Sequence, residues 1–500
     1  MPGRGLLRTK TVEQSILDTD EPDTKLRKNL GTWDLIVFGV SVVIGAGIFT
    51  IAAETAGDVS GPSVSLAFVL AAIACGLAGL CYAEFASTVP VAGSAYTYSY
   101  ATFGEFIAWI IGWDLVLEFA VAAAYVSTGW SQYLQEVFGL LGLGIQTKLE
   151  LGPLEVNWGA MLLVAVLGTL LALGTKLSAR VSLVITVIKV SVVVFVVIAG
   201  LSYIDPSNYT PFIPPAQPEI EGGSPLEQSL LSIFLGGQTS NYGVFGLLAG
   251  ASLVFFAFIG FDVVATTAEE TRDPQRNAPR GIFGSLLICT VLYVAVALVV
   301  TGMANYTELA SNGGESATLA TAFSLHGVSW AAAIISIGAL IGLITVVMVL
   351  MLGQIRVLFA MSRDRLMPHG LAKTSPQRGT PVRATVLVSI VVLLVAGLFP
   401  AERLEEMVNA GTLFAFVLVS AGVMILRRTR PDLPRGFRAP LVPLVPVLAI
   451  LACLWLMLNL SALTWVRFLI WMAVGLVVYF VYGYRRSRLR QQEQAGEVTG

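Results

Sequence analysis

The chain has 500 residues, of which 56% are hydrophobic and only 12% are charged. A soluble domain carries about 25% charged residues, so this composition excludes an ordinary soluble enzyme and indicates an integral membrane protein. The formal net charge of -2 is small, and the positions of the charges are therefore more informative than their sum.

Twelve apolar segments follow one another along the chain, and each is long enough to cross a bilayer as a helix, which takes about 20 residues. We therefore predict an all-α integral membrane fold with twelve transmembrane helices. The predicted spans cover residues 34–56, 62–87, 99–128, 158–175, 179–203, 246–268, 279–303, 328–361, 382–399, 406–427, 441–462 and 465–484.

Basic residues mark one side of the predicted membrane protein. Lys and Arg cluster in the N-terminal tail and in five later stretches, around residues 176–180, 272–280, 363–383, 427–438 and 485–490. Twelve crossings place all of these stretches on one side, and loops rich in Lys and Arg stay cytoplasmic. We therefore expect a protein of the cell membrane with two cytoplasmic tails, residues 1–33 and 485–500, around a transmembrane domain at 34–484.

The first span contains Gly45 and Gly47 on either side of Ala46, where a spanning helix would favour strong helix formers. Glycine weakens a helix, and lipid cannot satisfy the amides and carbonyls that a break would expose. A break therefore has to face a cavity or a ligand, as in the discontinuous helices of many transporters. Alternatively, these small residues serve close packing between helices.

The sixth span repeats this pattern, with Gly260 and Asp262 in the middle of an apolar run. It follows the first interrupted span by five crossings and runs in the opposite direction. Corresponding interrupted segments in two halves are typical of transporters with inverted repeats. We predict two inverted five-helix repeats, at about 34–203 and 246–427, followed by two extra helices at 441–484.

The two predicted breaks offer opposite partial charges to a ligand. The N-terminal end of a half-helix is partly positive and suits a carboxylate, whereas carbonyls at a C-terminal end suit an ammonium group. The expected amides belong to Gly45, Ala46 and Gly47. The expected carbonyls belong to Val43, Ile44, Phe256, Ala257 and Ile259. If both helices unwind, this gap fits a zwitterionic α-amino acid.

Charged residues inside membrane spans are costly and therefore few. Lys189 lies in the middle of the fifth span, where it is either a proton-binding group or a structural donor to helix carbonyls. Glu118 shares a helix face with Asp114 in the third span. Glu118 and Asp262 are candidates for pairing with Lys189 or for lining the cavity, with purely structural ion pairs as the alternative.

A second charged group lies near the predicted cytoplasmic ends of the spans. It comprises Glu84, Glu269, Arg356 and Arg363. These residues are predicted to form an inner gate. The alternative is a set of surface ion pairs, which contribute little energy.

Several stretches together resemble the amino acid–polyamine–organocation (APC) superfamily, and specifically bacterial members of its cationic amino acid transporter branch. They are VIGAGIF at 43–49, YAEF at 82–85, VPVAGSAYTY at 89–98, GEF at 104–106, GWDLVLE at 112–118, FFAFIGFD at 255–262, EETRDP at 269–274 and MSRD at 361–364, with Arg356. The resemblance covers residues 30–485. It implies inverted repeats, alternating access and amino acid transport that is often proton-linked.

The resemblance also implies roles for particular residues. Lys189 matches a lysine on the fifth helix that replaces a sodium site, and the breaks in helices 1 and 6 match the substrate backbone site. Val346, next to Thr345 on the eighth helix, matches the pocket for the substrate side chain. Because Val346 is apolar where eukaryotic relatives tend to carry a small polar residue, we favour small neutral amino acids or a broad range as substrates.

The leading hypothesis is a proton-coupled amino acid permease. The alternatives are an amino acid exchanger with a structural Lys189, and a sensor built on a transporter scaffold. No Walker phosphate-binding spacing is present, and no cofactor or metal is expected. The expected partners are L-amino acids, protons and the lipid bilayer, with a small accessory membrane subunit left open and nucleic acid excluded.

Overall fold

The computed structural model describes residue 8 and residues 30–89, 94–152, 154–174, 179–218, 226–235, 240–267, 271–310, 317–375 and 380–494. Helices occupy each of the predicted spans, and we number them accordingly. They are α1 (Thr32–Val43), α2 (Val64–Thr88), α3 (Glu105–Leu140), α4 (Trp158–Ala172), α5 (Ala179–Gly200), α6 (Gly243–Val254), α7 (Pro274–Met303), α8 (Ser329–Arg363), α9 (Val382–Leu398), α10 (Ala401–Thr429), α11 (Leu444–Leu458) and α12 (Ala462–Val478).

Within the described ranges, eight helical segments are long and apolar enough to cross a membrane. The remaining apolar helices are shorter, namely α1, α4, α9 and α11. This helical and apolar architecture is that of a multi-pass membrane protein. The arrangement of twelve crossings, and the division into two inverted repeats, remain predictions.

The third span differs from its predicted limits of 99–128. A separate helix, Ser94–Thr102, comes first, and α3 begins at Glu105 and continues to Leu140. Gly104 separates the two helices with φ 94°, a conformation that is easy for glycine and strained for other residues. The C-terminal end of α3 is polar, and it was missed because hydropathy reports only the apolar part of a helix that is longer than the membrane is thick.

The connection between α5 and α6 contains several short regular elements. They are 3₁₀ turns at Leu201–Tyr203 and Pro206–Tyr209, a helix at Leu230–Leu235, and a strand Gln217–Pro218 paired with Ser240–Asn241. Contacts with helix ends order this connection, since the Tyr209 hydroxyl donates to the Leu298 carbonyl at 2.6 Å. An unpredicted hairpin joins β1 (Lys148–Leu151) to β2 (Leu154–Asn157).

Helix α3 lies at the centre of the bundle, where it packs against α8 and α10. Helix α7 packs against α1 and α2, and α5 packs against α8. The four cysteines are buried and free, and they are Cys75, Cys81, Cys289 and Cys453. This packing brings the interrupted first and sixth spans together in the interior.

Candidate functional site

The first span is interrupted where the glycines predict. Helix α1 ends at Val43, Ile44 is extended with φ -71° and ψ 93°, and the chain becomes helical again as a π-helix at Gly47–Ile51. The amides of Ile48 and Phe49 donate to the Gly45 carbonyl at 3.3 and 3.4 Å. The interruption therefore leaves α1 with a carbonyl end, facing the amide end of the second half of the span.

The sixth span is also interrupted, next to the predicted Gly260. A 3₁₀ turn, Phe255–Phe258, follows α6, and a short helix begins again at Phe261. Gly260 has φ 117°, and a Cβ built there would lie 2.7 Å from Cγ1 of Val42. Both the backbone conformation and the contact with α1 therefore require glycine at this position.

The two interruptions touch each other. A Cβ built at Gly47 would lie only 2.2 Å from Cα of Ala257, so the two backbones are in direct contact. On the other side, a Cβ at Gly45 would lie 3.3 Å from Cγ1 of Val346 on α8. The Phe256 ring packs edge-on against Tyr125 of α3, with centroids 4.7 Å apart.

The residues predicted to hold a substrate therefore lie in one place, and all of them are buried. Their side chains have relative exposures of 0 to 8%; those with apolar side chains are Val43, Ile44, Ala46, Phe256, Ala257, Ile259 and Val346. Tyr125 joins them from α3, and sequence reasoning missed it. A tyrosine in an apolar helix gives no signal in the sequence that distinguishes it from an ordinary packing residue.

Lys189 is wholly buried, and its ammonium group faces the end of α1. Its Nζ donates to the carbonyls of Ser41 and Ile44, the second at 3.1 Å. The Tyr293 hydroxyl of α7 donates to the Val43 carbonyl at 2.6 Å. Two carbonyls that were predicted to face a substrate ammonium are thus bound by side chains of the protein, which corrects that part of the prediction.

Space for the lysine comes from α8. A Cβ built at Gly342 would lie 2.5 Å from Cγ of Lys189, so a larger residue there would displace the lysine stem. Sequence reasoning missed both Tyr293 and Gly342, which are distant in the chain from the first span. Lys189 thus links α5, α8 and the break in helix 1.

The predicted carboxylate partners of Lys189 lie elsewhere. Asp262 accepts a hydrogen bond from the Gly260 amide at 3.2 Å and so binds the break in its own span. Glu118 faces α10, where a Cβ at Gly411 would lie 3.6 Å from its Cβ and 3.0 Å from Oδ1 of Asp114. Among the described residues neither Glu118 nor Asp262 forms an ion pair with Lys189, and the alternative, that they line the cavity, stays a prediction.

The buried carboxylates of α3 form a group of their own. Both oxygens of Asp114 and Oε2 of Glu118 are buried without a hydrogen-bond partner among the described residues. A buried carboxylate without a cation is costly, so these groups are suited to take up a proton.

The predicted gate has different partners from those expected. Glu84 accepts hydrogen bonds from Nε and Nη2 of Arg427 at 2.8 and 2.6 Å, and from the Ala439 amide at 2.8 Å. Arg435 Nε lies 3.4 Å from Glu84 as well. Burial lowers the pKa of Arg435, and the Glu84 carboxylate opposes that shift.

Arg356 and Arg363 are not among the partners of Glu84, and their side chains are exposed. Glu269 lies outside the described residues, so its place in a gate stays a prediction. Sequence reasoning did not identify Arg427, because this residue is separated from Glu84 by 343 positions and belongs to a different span.

Two facing helix breaks inside an apolar bundle define the site of a membrane transporter for small molecules. The family model described as amino acid permease matches residues 30–481, so the chain belongs to that family, within the APC superfamily. The chain is accordingly a transporter and not an enzyme.

Individual relatives cover almost the whole chain. It is 41% identical over 493 residues to the branched-chain amino acid permease BcaP of Bacillus subtilis, which covers 97% of this chain and 99% of that protein. It is 39% identical over 491 residues to the methylthioribose transporter of the same organism, with the same coverage. It is 34% identical over 441 residues to the vacuolar cationic amino acid transporter 4 of Arabidopsis thaliana, covering 85% of this chain and 68% of that protein.

Proposed function

We propose that this protein is a secondary active permease that carries neutral, apolar L-amino acids by alternating access, coupled to protons. The observation that carries the proposal is the direct contact between the two breaks at Gly47 and Ala257. Helix ends of opposite polarity would then lie beside each other inside an apolar bundle, where a zwitterionic ligand could bind both.

The substrate carboxylate would bind the amides at the start of the second half of the first span, after the break. These amides belong to Gly45, Ala46 and Gly47. The substrate ammonium would bind the sixth-span carbonyls of Ala257 and Ile259. The carbonyls at the end of α1 already bind Lys189 and Tyr293, and that of Phe256 already accepts from the Ile259 amide. The carboxylate and the ammonium group of one amino acid would thus bind the first and the sixth span at the same time.

The substrate side chain would point to Val346, which lies beside Gly45. Val346 is apolar, and the ring of Phe256 lies on the same gap against Tyr125. Such a surface favours an aliphatic side chain over a charged one. The branched-chain substrates in the names of two relatives, from Bacillus subtilis and Lactococcus lactis, support this class.

Proton coupling would act through Lys189. In its charged form the lysine binds two carbonyls at the C-terminal end of α1, where the helix dipole favours a cation. Loss of the proton would weaken this attachment and release α1 to move. Glu118 and Asp262 would exchange a second proton, since both carboxylates are buried inside the apolar bundle.

The network of Glu84, Arg427 and Arg435 would close the cytoplasmic side. It ties α2 to the end of α10 and to the connection that follows α10. Because Glu84 is buried, separating it from its arginines would leave an uncompensated charge, which is costly. In this proposal both tails are cytoplasmic and the protein lies in the cell membrane.

Uptake into proteoliposomes tests the proposal. Labelled leucine, alanine, arginine and methylthioribose would be offered with and without an inward proton gradient. We expect leucine uptake that the gradient stimulates, with weaker uptake of arginine. Leucine flux that is unchanged by the proton gradient but requires amino acid inside the proteoliposomes would identify an exchanger. Uptake of methylthioribose alone would contradict the amino acid site.

A sensor is separated from a transporter by the same measurement. Saturable leucine binding in detergent without any uptake or exchange in proteoliposomes would favour the sensor. The facing helix breaks favour transport, because a fixed receptor has no need of two interrupted helices at its ligand.

A further inference from the structure

The chain continues past α12 as a segment that lies against the bundle. A π-helix, Tyr479–Gly483, leads into one turn of helix at Tyr484–Arg486, and a short helix, Arg488–Gln494, follows. We call residues 484–491 the terminal segment. Its basic residues are Arg485, Arg486, Arg488 and Arg490.

Contacts with the ends of two central helices hold the terminal segment in place. The Ser487 hydroxyl donates to a carboxylate oxygen of Glu105 at the start of α3, and both of these side chains are buried. The Arg488 amide donates to the carbonyl of Asp364, just after the end of α8, at 3.2 Å. The segment therefore has one defined arrangement on α3 and α8.

Aromatic rings orient two of the arginines. The guanidinium carbon of Arg486 lies 4.7 Å from the centre of the Tyr482 ring, and that of Arg490 lies 4.8 Å from the centre of the Tyr484 ring. Nη1 of Arg490 also donates to the Tyr484 carbonyl at 3.1 Å, so Arg490 helps to hold the segment. A guanidinium over a ring keeps the N–H groups at its edge available to an anion.

The other three arginines are exposed at the edge of an apolar surface. They are Arg485, Arg486 and Arg488. Val477, Phe480 and Val481 just before them are exposed as well, as expected for a surface that contacts lipid. Arg485 follows Val481 by one helical turn, which is about 6 Å. Because the hydrocarbon layer ends with the apolar surface, these arginines lie at the level of the lipid headgroups.

The three exposed arginines have no carboxylate partner in the described part of the chain. The ion pairs there lie elsewhere, at Glu84, at Arg430 and in the hairpin of β1 and β2. The carboxylates beneath the segment, those of Glu105 and Asp364, are buried and accept hydrogen bonds from tyrosine hydroxyls at 3.1 and 2.7 Å. The exposed guanidinium groups are therefore available to an anion from outside the protein.

We infer that the terminal segment is a binding surface for the headgroups of anionic phospholipids. A guanidinium matches a phosphate with two parallel N–H donors, and each arginine near an anionic membrane surface adds to the attraction. The docked segment is already ordered, so it loses little freedom when it binds a headgroup. The acyl chains would lie along the exposed apolar surface at Val477 and Val481.

A bound headgroup would act on helices that move in the proposed function. The Tyr96 hydroxyl donates to the Asp364 carboxylate at 2.7 Å, and the Tyr98 hydroxyl of the same short helix donates to the Ala265 carbonyl of the sixth span at 3.3 Å. A headgroup that keeps the terminal segment on Asp364 opposes movement of the sixth span away from α8, and so slows transport. This consequence rests on the proposed function, whereas binding itself does not.

Calorimetric titration of the purified full chain in an uncharged detergent tests binding without transport. The probe is dioctanoylphosphatidylglycerol, and dioctanoylphosphatidylcholine, which has no net charge, is the matched control. We expect saturable binding of the phosphatidylglycerol alone. The triple variant Arg485→Gln, Arg486→Gln and Arg488→Gln should raise its dissociation constant at least about tenfold, because three charges near the headgroup are lost. The replaced side chains are exposed, so the variant should fold normally.

A second triple variant distinguishes a defined site from general attraction by positive charge. Arg272→Gln, Arg276→Gln and Arg280→Gln remove three exposed arginines around the start of α7 and should leave binding unchanged. Equal weakening by both triple variants would overturn the inference, as would absence of saturable phosphatidylglycerol binding or equal affinity for phosphatidylcholine. Inorganic phosphate that binds as tightly as phosphatidylglycerol would show a site for a free anion, and would also overturn it.

Transport provides the second readout. In proteoliposomes, replacing phosphatidylcholine by phosphatidylglycerol should lower the maximal rate of leucine uptake by the unmodified protein, and the triple variant of the terminal segment should not respond. Saturable binding with an uptake rate that is independent of the lipid would support the site and refute its link to the sixth span. Absence of leucine uptake by the unmodified protein in either lipid would refute the proposed function and leave the titration result standing.

Discussion

The breaks in the first and sixth spans look alike in sequence but are stabilised in different ways. The carbonyl end of α1 is held by Lys189 of α5 and Tyr293 of α7, both far away in the chain. The sixth span supplies hydrogen bonds at its break from its own residues, through the Ile259 amide to the Phe256 carbonyl and the Gly260 amide to Asp262. A distant side chain that also reaches it, Asn409 of α10, is uncharged and donates to the Ser252 carbonyl at 2.9 Å.

This difference indicates that the two breaks have different roles in transport. A break held by distant side chains responds to changes in those side chains, such as loss of a proton. A break held by its own residues keeps its shape while its neighbours move. We therefore expect helix 1 to couple transport to protons and the sixth span to keep the substrate carbonyls in position.

The largest effect is expected where the two breaks meet. Gly47→Ala places a methyl group 2.2 Å from Cα of Ala257, so the backbones must separate and leucine binding should fall more than about 100-fold. Equilibrium binding to the purified protein measures this. Gly76→Ala in α2 is the matched control, since a methyl group there meets no atom within 4 Å and binding should be unchanged. Normal binding by Gly47→Ala would refute the site.

The second largest effect is expected at the break in the first span, which depends on distant side chains. Lys189→Met removes the donor to the Ser41 and Ile44 carbonyls but keeps an apolar stem in the space beside Gly342. Gradient-driven leucine uptake should fall at least about tenfold, and the remaining flux should keep only the pH dependence that Glu118 and Asp262 contribute. Uptake is measured across a series of external pH values. A pH profile identical to that of the unmodified protein would assign Lys189 a structural role only.

A smaller effect is expected from the second distant donor. Tyr293→Phe leaves the buried Val43 carbonyl without its hydroxyl partner, which costs about 1–3 kcal/mol. We expect slower uptake with the pH dependence retained, because the lysine is untouched. Kinetics at two pH values separate this outcome from that of Lys189→Met. Loss of pH dependence in Tyr293→Phe would show that any weakening of α1 uncouples transport.

The smallest effect is expected at the self-contained break. Asp262→Ala removes the acceptor for the Gly260 amide at the start of a short helix, which should lower the free energy of unfolding by about 1 kcal/mol. Asp262→Asn keeps an oxygen acceptor and should be closer to the unmodified protein. Thermal unfolding compares the two.

Uptake by Asp262→Asn adds a separate test of proton exchange. If Asp262 exchanges a proton together with Glu118, the asparagine should alter the pH profile of uptake while stability is kept. An unchanged profile would leave Asp262 as a cap of the short helix alone.

The breaks themselves were predictable, and the contacts that hold them were not. Gly45, Gly47 and Gly260 mark the interruptions because glycine inside an apolar helical run is a local signal of weak helix. Glu84 was identified as a buried acid near a span end, yet its partner Arg427 was not. Any of several arginines near the span ends satisfied the same local pattern, and only the packing of α2 against α10 chose among them.

The sequence by itself determined the class of protein, the positions of the apolar spans and the two interrupted helices. These properties follow from hydropathy and from helix preference, which are sums over neighbouring residues. Only the tertiary structure decided that Lys189 binds carbonyls instead of carboxylates and that Tyr293 holds α1. Each of these contacts joins residues between 145 and 250 positions apart, and no local pattern records which helices become neighbours.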